Sequence, residues 1–435
     1  MIFTITMKTN FNQIVYTLFF AVIITISANA QHGKYVGGDI SMLPQYEKHN
    51  SPYLDKNNKP IDDLITWLVD ECGWNTFRVR LFVNPDNSSD PCVCQDLEYV
   101  KQLGKRIKDA GAYFMLDYHY SDTWVDATHI QAPRAWKGCS VDQKVDSITS
   151  YTRATLQELI AYGATPDMVQ VGNEIMYGFM GISVHPYEDL NDDWDSFLRI
   201  LKAGCQTVRE ILPHAEIIIH TDRLSNQKYN QFYYGKLIEN GVDFDVIGLS
   251  YYPFWHGFLK DLKTGLDGIK RDFPEKEVQI VETGYYFQYW PKSGVNYNTS
   301  TVWPATPLGQ YNCMKDLITF LRDYEQVEGV CYWNPEDAGN GDDTNWATTP
   351  NGTVSAYWTN RGLWNPAASK SGHTPISCSE GMVHYIFRDF LANKETSLEN
   401  LQSDVSQPCK QFFNNTLQLI MPNGTIYDVS GRLVK

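Results

Sequence analysis

The strongest constraint on how this chain folds is a rhythm, in which eight short β-rich runs are separated by longer segments with helical periodicity. The runs are Tyr35–Ile40, Thr76–Val83, Tyr113–Tyr118, Met168–Gly172, Glu216–Thr221, Val246–Ser250, Glu277–Val281 and Gly329–Trp333. Between them, Ile61–Cys72, Leu97–Ala110, Lys144–Tyr162, Asp193–Ile211, Tyr229–Asn240, Phe258–Phe273 and Gly309–Tyr324 carry apolar residues at helical spacing. Several end in a glycine (Gly73, Gly111, Gly163, Gly241) suited to a left-handed C-cap. Strands joined by helix-length crossovers pair in parallel. Eight of them predict an α/β fold of the (β/α)8 TIM-barrel type, whose site forms at the C-terminal ends of the strands. An open doubly wound sheet is the alternative, and its Gly-x-Gly-x-x-Gly signature after the first strand is missing. The longest connections, Asn84–Glu98, His119–Asp142, Asn173–Asp192, Gly284–Pro307 and Asn334–Ser379, all fall at that mouth.

The flanks read differently. Within residues 1–30 the single charge, Lys8, is followed by an apolar run from Ile14 to Ile26 and then Ala28-Asn29-Ala30. This pattern predicts a secretory signal peptide cleaved near Ala30, with a signal anchor as the alternative. The expected organisation is therefore residues 1–30 as signal peptide, 31–395 as catalytic barrel with long loops, and 396–435 as a C-terminal extension. That extension holds a candidate β-hairpin around Pro422-Asn423-Gly424. Export, to an extracellular or periplasmic destination, puts nine cysteines in an oxidising compartment. Cys72 and Cys331 are expected as buried thiols, and Cys92, Cys94 and Cys139 can include one bridge. Their spacing suits no zinc site, and neither a metal nor another cofactor is expected.

Composition narrows the partner. Thirty-six Lys plus Arg against 51 Asp plus Glu give a formal charge of −15, which argues against nucleic acid and against a polybasic membrane surface. No segment after the leader is apolar enough to span a membrane, and a monomer is expected. Twelve Trp and 27 Tyr supply rings with an apolar face and a polar edge, suited to cores and to sugar clefts.

Two carboxylates then stand out. The fourth run closes as Val171-Gly172-Asn173-Glu174 and the seventh as Ile280-Val281-Glu282-Thr283. Each places a glutamate at the mouth, and two converging carboxyls suit glycoside cleavage, one protonating the leaving oxygen while the other attacks or activates water. Asn173 offers an amide to a sugar 2-hydroxyl. Arg78 and Arg80 share one face of the second strand, where one can pin a carboxylate.

Asn-Glu after strand four and Glu after strand seven resemble the retaining (β/α)8 glycosidases. Gly37-Gly38-Asp39-Ile40-Ser41, Phe77-Arg78-Val79-Arg80-Leu81, Asp117-Tyr118-His119-Tyr120-Ser121-Asp122-Thr123-Trp124, Ser250-Tyr251-Tyr252-Pro253 and Tyr332-Trp333 narrow the likeness to glycoside hydrolase family 53, the arabinogalactan endo-β-1,4-galactanases. The resemblance covers roughly residues 33–365. It implies Glu174 as acid/base and Glu282 as nucleophile, in a double displacement on β-1,4-galactan such as pectin side chains. It also implies carboxyls about 5–5.5 Å apart. Asp39, Arg78, Arg80, Asp117, His119 and Asn173 are then expected around the substrate, with Tyr251 donating to Glu282. Trp333 is expected to floor the pocket, and Trp124, Trp136 and Trp364 to stack further sugars. Some relatives bind calcium after strand seven, but Gly284–Trp290 lacks acidic ligands here; Asp337, Asp342 and Asp343 in the last long loop read first as an acidic solvated loop, with a cation site as the alternative. The alternatives are another endo-glycanase of this clan, acting on mannan or glucan, or a non-catalytic polysaccharide-binding barrel.

Overall fold

The computed structural model describes residues 34–49, 52–88, 90, 92–187, 193–288, 301–338, 345–349, 352–355, 359–365, 372–391, 409–413, 416–420 and 426–428. The expected signal peptide, Asp342 and Asp343 lie outside these residues.

Eight parallel strands close into a barrel: β1 Tyr35–Asp39, β2 Thr76–Leu81, β3 Tyr113–Tyr118, β4 Met168–Val171, β5 Glu216–Thr221, β6 Val246–Tyr251, β7 Glu277–Thr283 and β8 Val327–Trp333. Each pairs with its sequence neighbours, and β1 closes on β8 from Tyr35↔Gly329 to Asp39↔Trp333. Seven crossover helices follow: α1 Leu64–Asp70, α2 Leu97–Asp109, α3 Val141–Tyr162, α4 Trp194–Ile211, α5 Gln227–Glu239, α6 Leu259–Asp272 and α7 Pro307–Leu321. After β8, a short turn of helix, Val383–Ile386, and the 3-10 turn Phe387–Phe390 stand in the eighth position among the described residues.

Local chemistry sets these boundaries. Ser140 caps α3 through a reciprocal pair with Gln143, and Gly163 ends it at φ 82° in the left-handed region. On β1, a Cβ built on Gly37 would lie 1.6 Å from the Thr76 carbonyl oxygen, so only glycine lets β1 and β2 approach this closely.

Alternation along the strands divides the core. Outward residues such as Val36, Phe77, Val79, Leu116, Val169, Ile219 and Ile247 join the layer packed under the helices. Inward ones, Tyr35, Met115, Met168, Ile218, Val246, Val281 and Cys331, fill the barrel's lower interior. Two residues further along three of those strands come Asp117, Gln170 and His220, after Met115, Met168 and Ile218, and four residues past Tyr35 on β1 comes Asp39, all buried. This polar layer sits on the apolar one and carries the site.

Among the described residues no helix is long and apolar enough to cross a membrane. The eight cysteines with described side chains are all unbridged, Cys92, Cys94 and Cys139 included, and Cys72 and Cys331 are buried. Near the chain end, Cys409–Phe413, Thr416–Ile420 and Ile426–Asp428 form a three-stranded antiparallel sheet.

Candidate active site

Arg78 organises the mouth. Strand alternation turns both Arg78 and Arg80 inward, each 1% exposed. The Arg78 guanidinium meets Asp39 at 2.7 Å, Asp117 at 2.9 Å and Glu282 at 3.0 Å, and donates to Asn173 Oδ1 at 2.8 Å. A single side chain thus joins β1, β2, β3, β7 and the end of β4.

Backbone irregularities aim the two glutamates. On β7, pairing with β6 jumps from Leu249↔Ile280 to Ser250↔Glu282, and pairing with β8 shifts at the same place. This bulge lets Val281 fill the barrel while Glu282, which strict alternation would send outward, also faces the interior. At the end of β4, Gly172 at φ 87° and Glu174 at φ 47° break the strand, so that Asn173 and Glu174 both reach the cavity.

The two carboxyls have contrasting surroundings. Glu282 accepts from Tyr252 Oη at 2.9 Å and pairs with Arg78. Burial raises its pKa to about 7, with Arg78 and the Tyr252 bond pulling it down. Glu174 accepts from Ser250 Oγ at 2.6 Å. Burial, then the Glu282 charge and Asp222, hold it well above the usual carboxylate range. His220 supports the acid, Nε2 donating to Ser250 Oγ at 2.9 Å and Nδ1 accepting from the Glu174 amide at 3.4 Å, and burial keeps it neutral.

Both glutamates line one cavity of about 940 Å³, with Arg78, Arg80, His119, Trp124, Asn173 and Trp333. Trp333 and Trp124 meet nearly at right angles, centroids 6.4 Å apart, and the Arg80 guanidinium lies 4.4 Å from the Trp124 ring. A proton-holding carboxyl facing an ionisable one across a ring-lined cavity is equipped for acid-assisted displacement at a sugar carbon.

The model for glycosyl hydrolase family 53 matches residues 35–369. The chain belongs to glycosyl hydrolase family 53. It is 32% identical over 328 residues to an uncharacterized protein of Niallia circulans, covering 72% of this chain and 87% of that one. It is also 29% identical over 341 residues to the endo-β-1,4-galactanase of Bacillus subtilis, covering 74% and 76%. Among solved structures, the family 53 catalytic domain of Ignisphaera aggregans matches with a TM-score of 0.68 at 26% identity, over 82% of this chain and 96% of that one.

Five of the expected residues in this family 53 barrel take other places. Tyr251 does not reach Glu282: its hydroxyl donates to the Gly257 carbonyl at 3.0 Å, and Tyr252 makes the carboxylate bond instead. Strand β6 alternates Ser250 inward, Tyr251 outward and Tyr252 inward, so parity decides between the adjacent tyrosines. Trp364 is core, with its ring centroid 4.9 Å from Tyr53 and 4.8 Å from His384. The chain beyond β8 brings it against α1 rather than over the mouth. Trp136 packs on Tyr151 of α3 at 5.8 Å and does not line the cavity. Asp39 and Asp117 also stop short of the cavity, because both are spent holding Arg78 from beneath. Asp117 further pairs with His119 Nε2 at 3.1 Å, and His119 Nδ1 accepts from the Val125 amide at 3.1 Å, which fixes its tautomer.

Cavity residues that the sequence reading missed include Asp90, Asp222, Arg223, Tyr252, Trp255 and His256. Asp222 and Arg223 directly follow β5, the same strand-end signal that singled out both glutamates. After β8, Glu336 and Asp337 are buried, Glu336 accepting from the Met42 amide at 3.0 Å and Asp337 from Tyr46 Oη at 2.8 Å. These bonds tie the loop to the segment after β1. The described groups able to converge on a metal comprise Glu216, Glu277 and Glu328, near the opposite end of the barrel.

Proposed function

We propose that this protein hydrolyses β-1,4-galactosidic linkages inside galactan chains, such as the type I arabinogalactan side chains of pectin, with retention of configuration. The observation that carries the reading is the contrast across one cavity. Glu282 is the carboxyl held by a guanidinium and a phenol, and Glu174 is the one that burial and the neighbouring Glu282 and Asp222 push toward its protonated form. The name borne by the Bacillus subtilis relative supports the choice of galactan.

Glu282 attacks the anomeric carbon while Glu174 passes its proton to the departing glycosidic oxygen, leaving a glycosyl–Glu282 ester. Water then enters, Glu174 takes its proton, and the ester opens with net retention. Arg78 and Tyr252 orient the attacking oxygens. Asn173 uses one amide hydrogen on the Val125 carbonyl at 2.7 Å and keeps the other for a sugar 2-hydroxyl. Trp333, beside Glu282 through the β7–β8 pairing, floors the sugar under attack.

The protein acts as a monomer in this reading. It is exported, with Lys8, the apolar run and Ala28-Asn29-Ala30 as support. Purified protein incubated with β-1,4-galactan, β-mannan and β-glucan should release reducing ends from galactan alone, with the β-anomer first by NMR, and Glu282→Ala should abolish release. Activity confined to mannan or glucan, or binding without cleavage, refutes the reading. A mature N-terminus other than Gln31 in protein recovered outside the cells refutes the expected cleavage.

A further inference from the structure

The end of β5 carries a second charged pair into the mouth. Asp222 and Arg223 directly follow Thr221 and line the cavity that holds both glutamates. Asp222 is 7% exposed, and its Oδ2 meets Arg223 Nε at 3.2 Å. Its Oδ1 is buried with no hydrogen-bond partner from another residue among the described ones. The Arg223 guanidinium lies 5.4 Å from the Tyr177 ring, and Tyr177 closes the 3-10 turn that starts directly after Glu174. The pair is thus braced against the turn that aims the acid. A carboxylate oxygen kept from water without a donor is held at a cost. Burial pushes Asp222 up to about 6 while Arg223 pulls it down, so it is charged at neutral pH.

Glu174 is faced by charged and titratable groups from several elements. Glu282 comes from β7, Tyr252 from the residue after β6, Asp126 from the loop after β3, and the Asp222–Arg223 pair from β5. Ser250 donates to it, while burial keeps His220 neutral, and burial with the Arg223 cation does the same to His256. Behind Asp222, the buried Tyr234 phenol keeps its proton. Against burial, Thr128 and His129 hold Asp126 below the usual carboxylate range. Three carboxylates therefore act on Glu174, and turnover changes one of them. When Glu282 bonds to the anomeric carbon and the leaving oxygen takes the Glu174 proton, the Glu282 charge is lost. Water must next give a proton to Glu174 as its oxygen displaces Glu282 from that carbon. Glu174 has to be basic at that moment, when the largest of its anionic neighbours has been neutralised. Asp222 forms no covalent bond in either step, so its charge persists through both.

We propose that Asp222 is a positioning residue for proton transfer, whose constant charge, moderated by Arg223, keeps Glu174 basic in both halves of the reaction. The inference rests on the galactanase reading above and gives Asp222 no contact with the sugar.

The test reads the alkaline limb of kcat/KM on β-1,4-galactan, where free enzyme loses the Glu174 proton. Asp222→Asn keeps the shape and deletes the charge, so Glu174 loses its proton more easily and the limb should move about one pH unit lower. Above both limbs the variant should fall roughly tenfold further than on the plateau. Arg223→Met removes the moderating cation and should move the limb the other way, and Asp222→Glu should restore it. The second half is read on β-galactobiosyl fluoride, whose departure needs little protonation, so that kcat follows opening of the ester. There Asp222→Asn should lower kcat about threefold with a smaller change in kcat/KM. A limb that stays in place, a raised KM for galactan with the limb unmoved, or Asp222→Asn and Arg223→Met shifting it in the same direction overturns the proposal and leaves the galactanase reading intact. Wild-type protein that cleaves mannan or glucan but no galactan removes that reading, and opposed limb shifts measured on the glycan it does cleave keep the role of Asp222.

Discussion

The bond from Tyr252 Oη to Glu282 can be weighed by removing it. The hydroxyl donates at 2.9 Å to a buried carboxylate, so it favours the ionised form. Hydrogen bonds to charged groups contribute ~1.5–3 kcal/mol, and each 1.36 kcal/mol moves a titration by about one pH unit. Tyr252→Phe deletes the donor while keeping the ring against Phe254 and Trp255. Glu282, already raised to about 7 by burial, should then ionise at least about one pH unit higher. The attacking carboxylate must be ionised, so activity falls as pH drops through its pKa, and the acid limb of kcat/KM should move upward. At a pH below both limbs the variant should lose roughly tenfold more than on the plateau. Steady-state kinetics on galactan across pH, with circular dichroism to show intact folding, gives the answer. An acid limb that stays put or moves to lower pH refutes the account of what Tyr252 does.

The opposite limb belongs to Glu174, which must carry its proton, so activity falls as pH rises through its raised pKa. Glu174→Gln should cut kcat/KM on galactan by ~10²–10⁴ yet spare kcat/KM on β-galactobiosyl fluoride, whose leaving group needs little protonation. Fluoride turnover should then stall at the ester for want of the base, and equal losses in kcat/KM would remove the acid role. Arg78→Met strands Asp39 and Asp117 as buried carboxylates and should cost ~3–5 kcal/mol in urea denaturation, together with activity. Trp364→Ala should cost ~3–5 kcal/mol of stability, read as a lower Tm, with KM for galactan unmoved; a raised KM would return Trp364 to the cleft.

The barrel was legible because its signal is repeated and local. Runs such as Glu216–Thr221 and Tyr113–Tyr118 hold as strands to the residue, and glycines past helix ends such as Gly163 do adopt positive φ. Glu174 and Glu282 were legible as strand-end carboxyls, but not the means by which they are aimed. A bulge at Val281 and the left-handed turn at Glu174 depend on pairing with neighbouring strands. Tyr251 and Tyr252 differ by parity alone, and the expected end of β6 at Ser250 left that parity undecided. Trp364 and Trp136 were misplaced because a long loop's course is set by distant partners, Tyr53 and Tyr151, which no local pattern announces.

Arg78 has one more consequence. Its partners come from four segments that lie far apart in the chain, and the cation compensates acidic groups from the first, third and seventh strands at once. A chain that has assembled half the ring holds either a stranded guanidinium or uncompensated acids, so partial forms are electrostatically penalised together with any rudimentary cleft. Turnover therefore reports ring closure itself: molecules missing one stave should be silent rather than slow, and loss of activity on unfolding should coincide with loss of the whole fold.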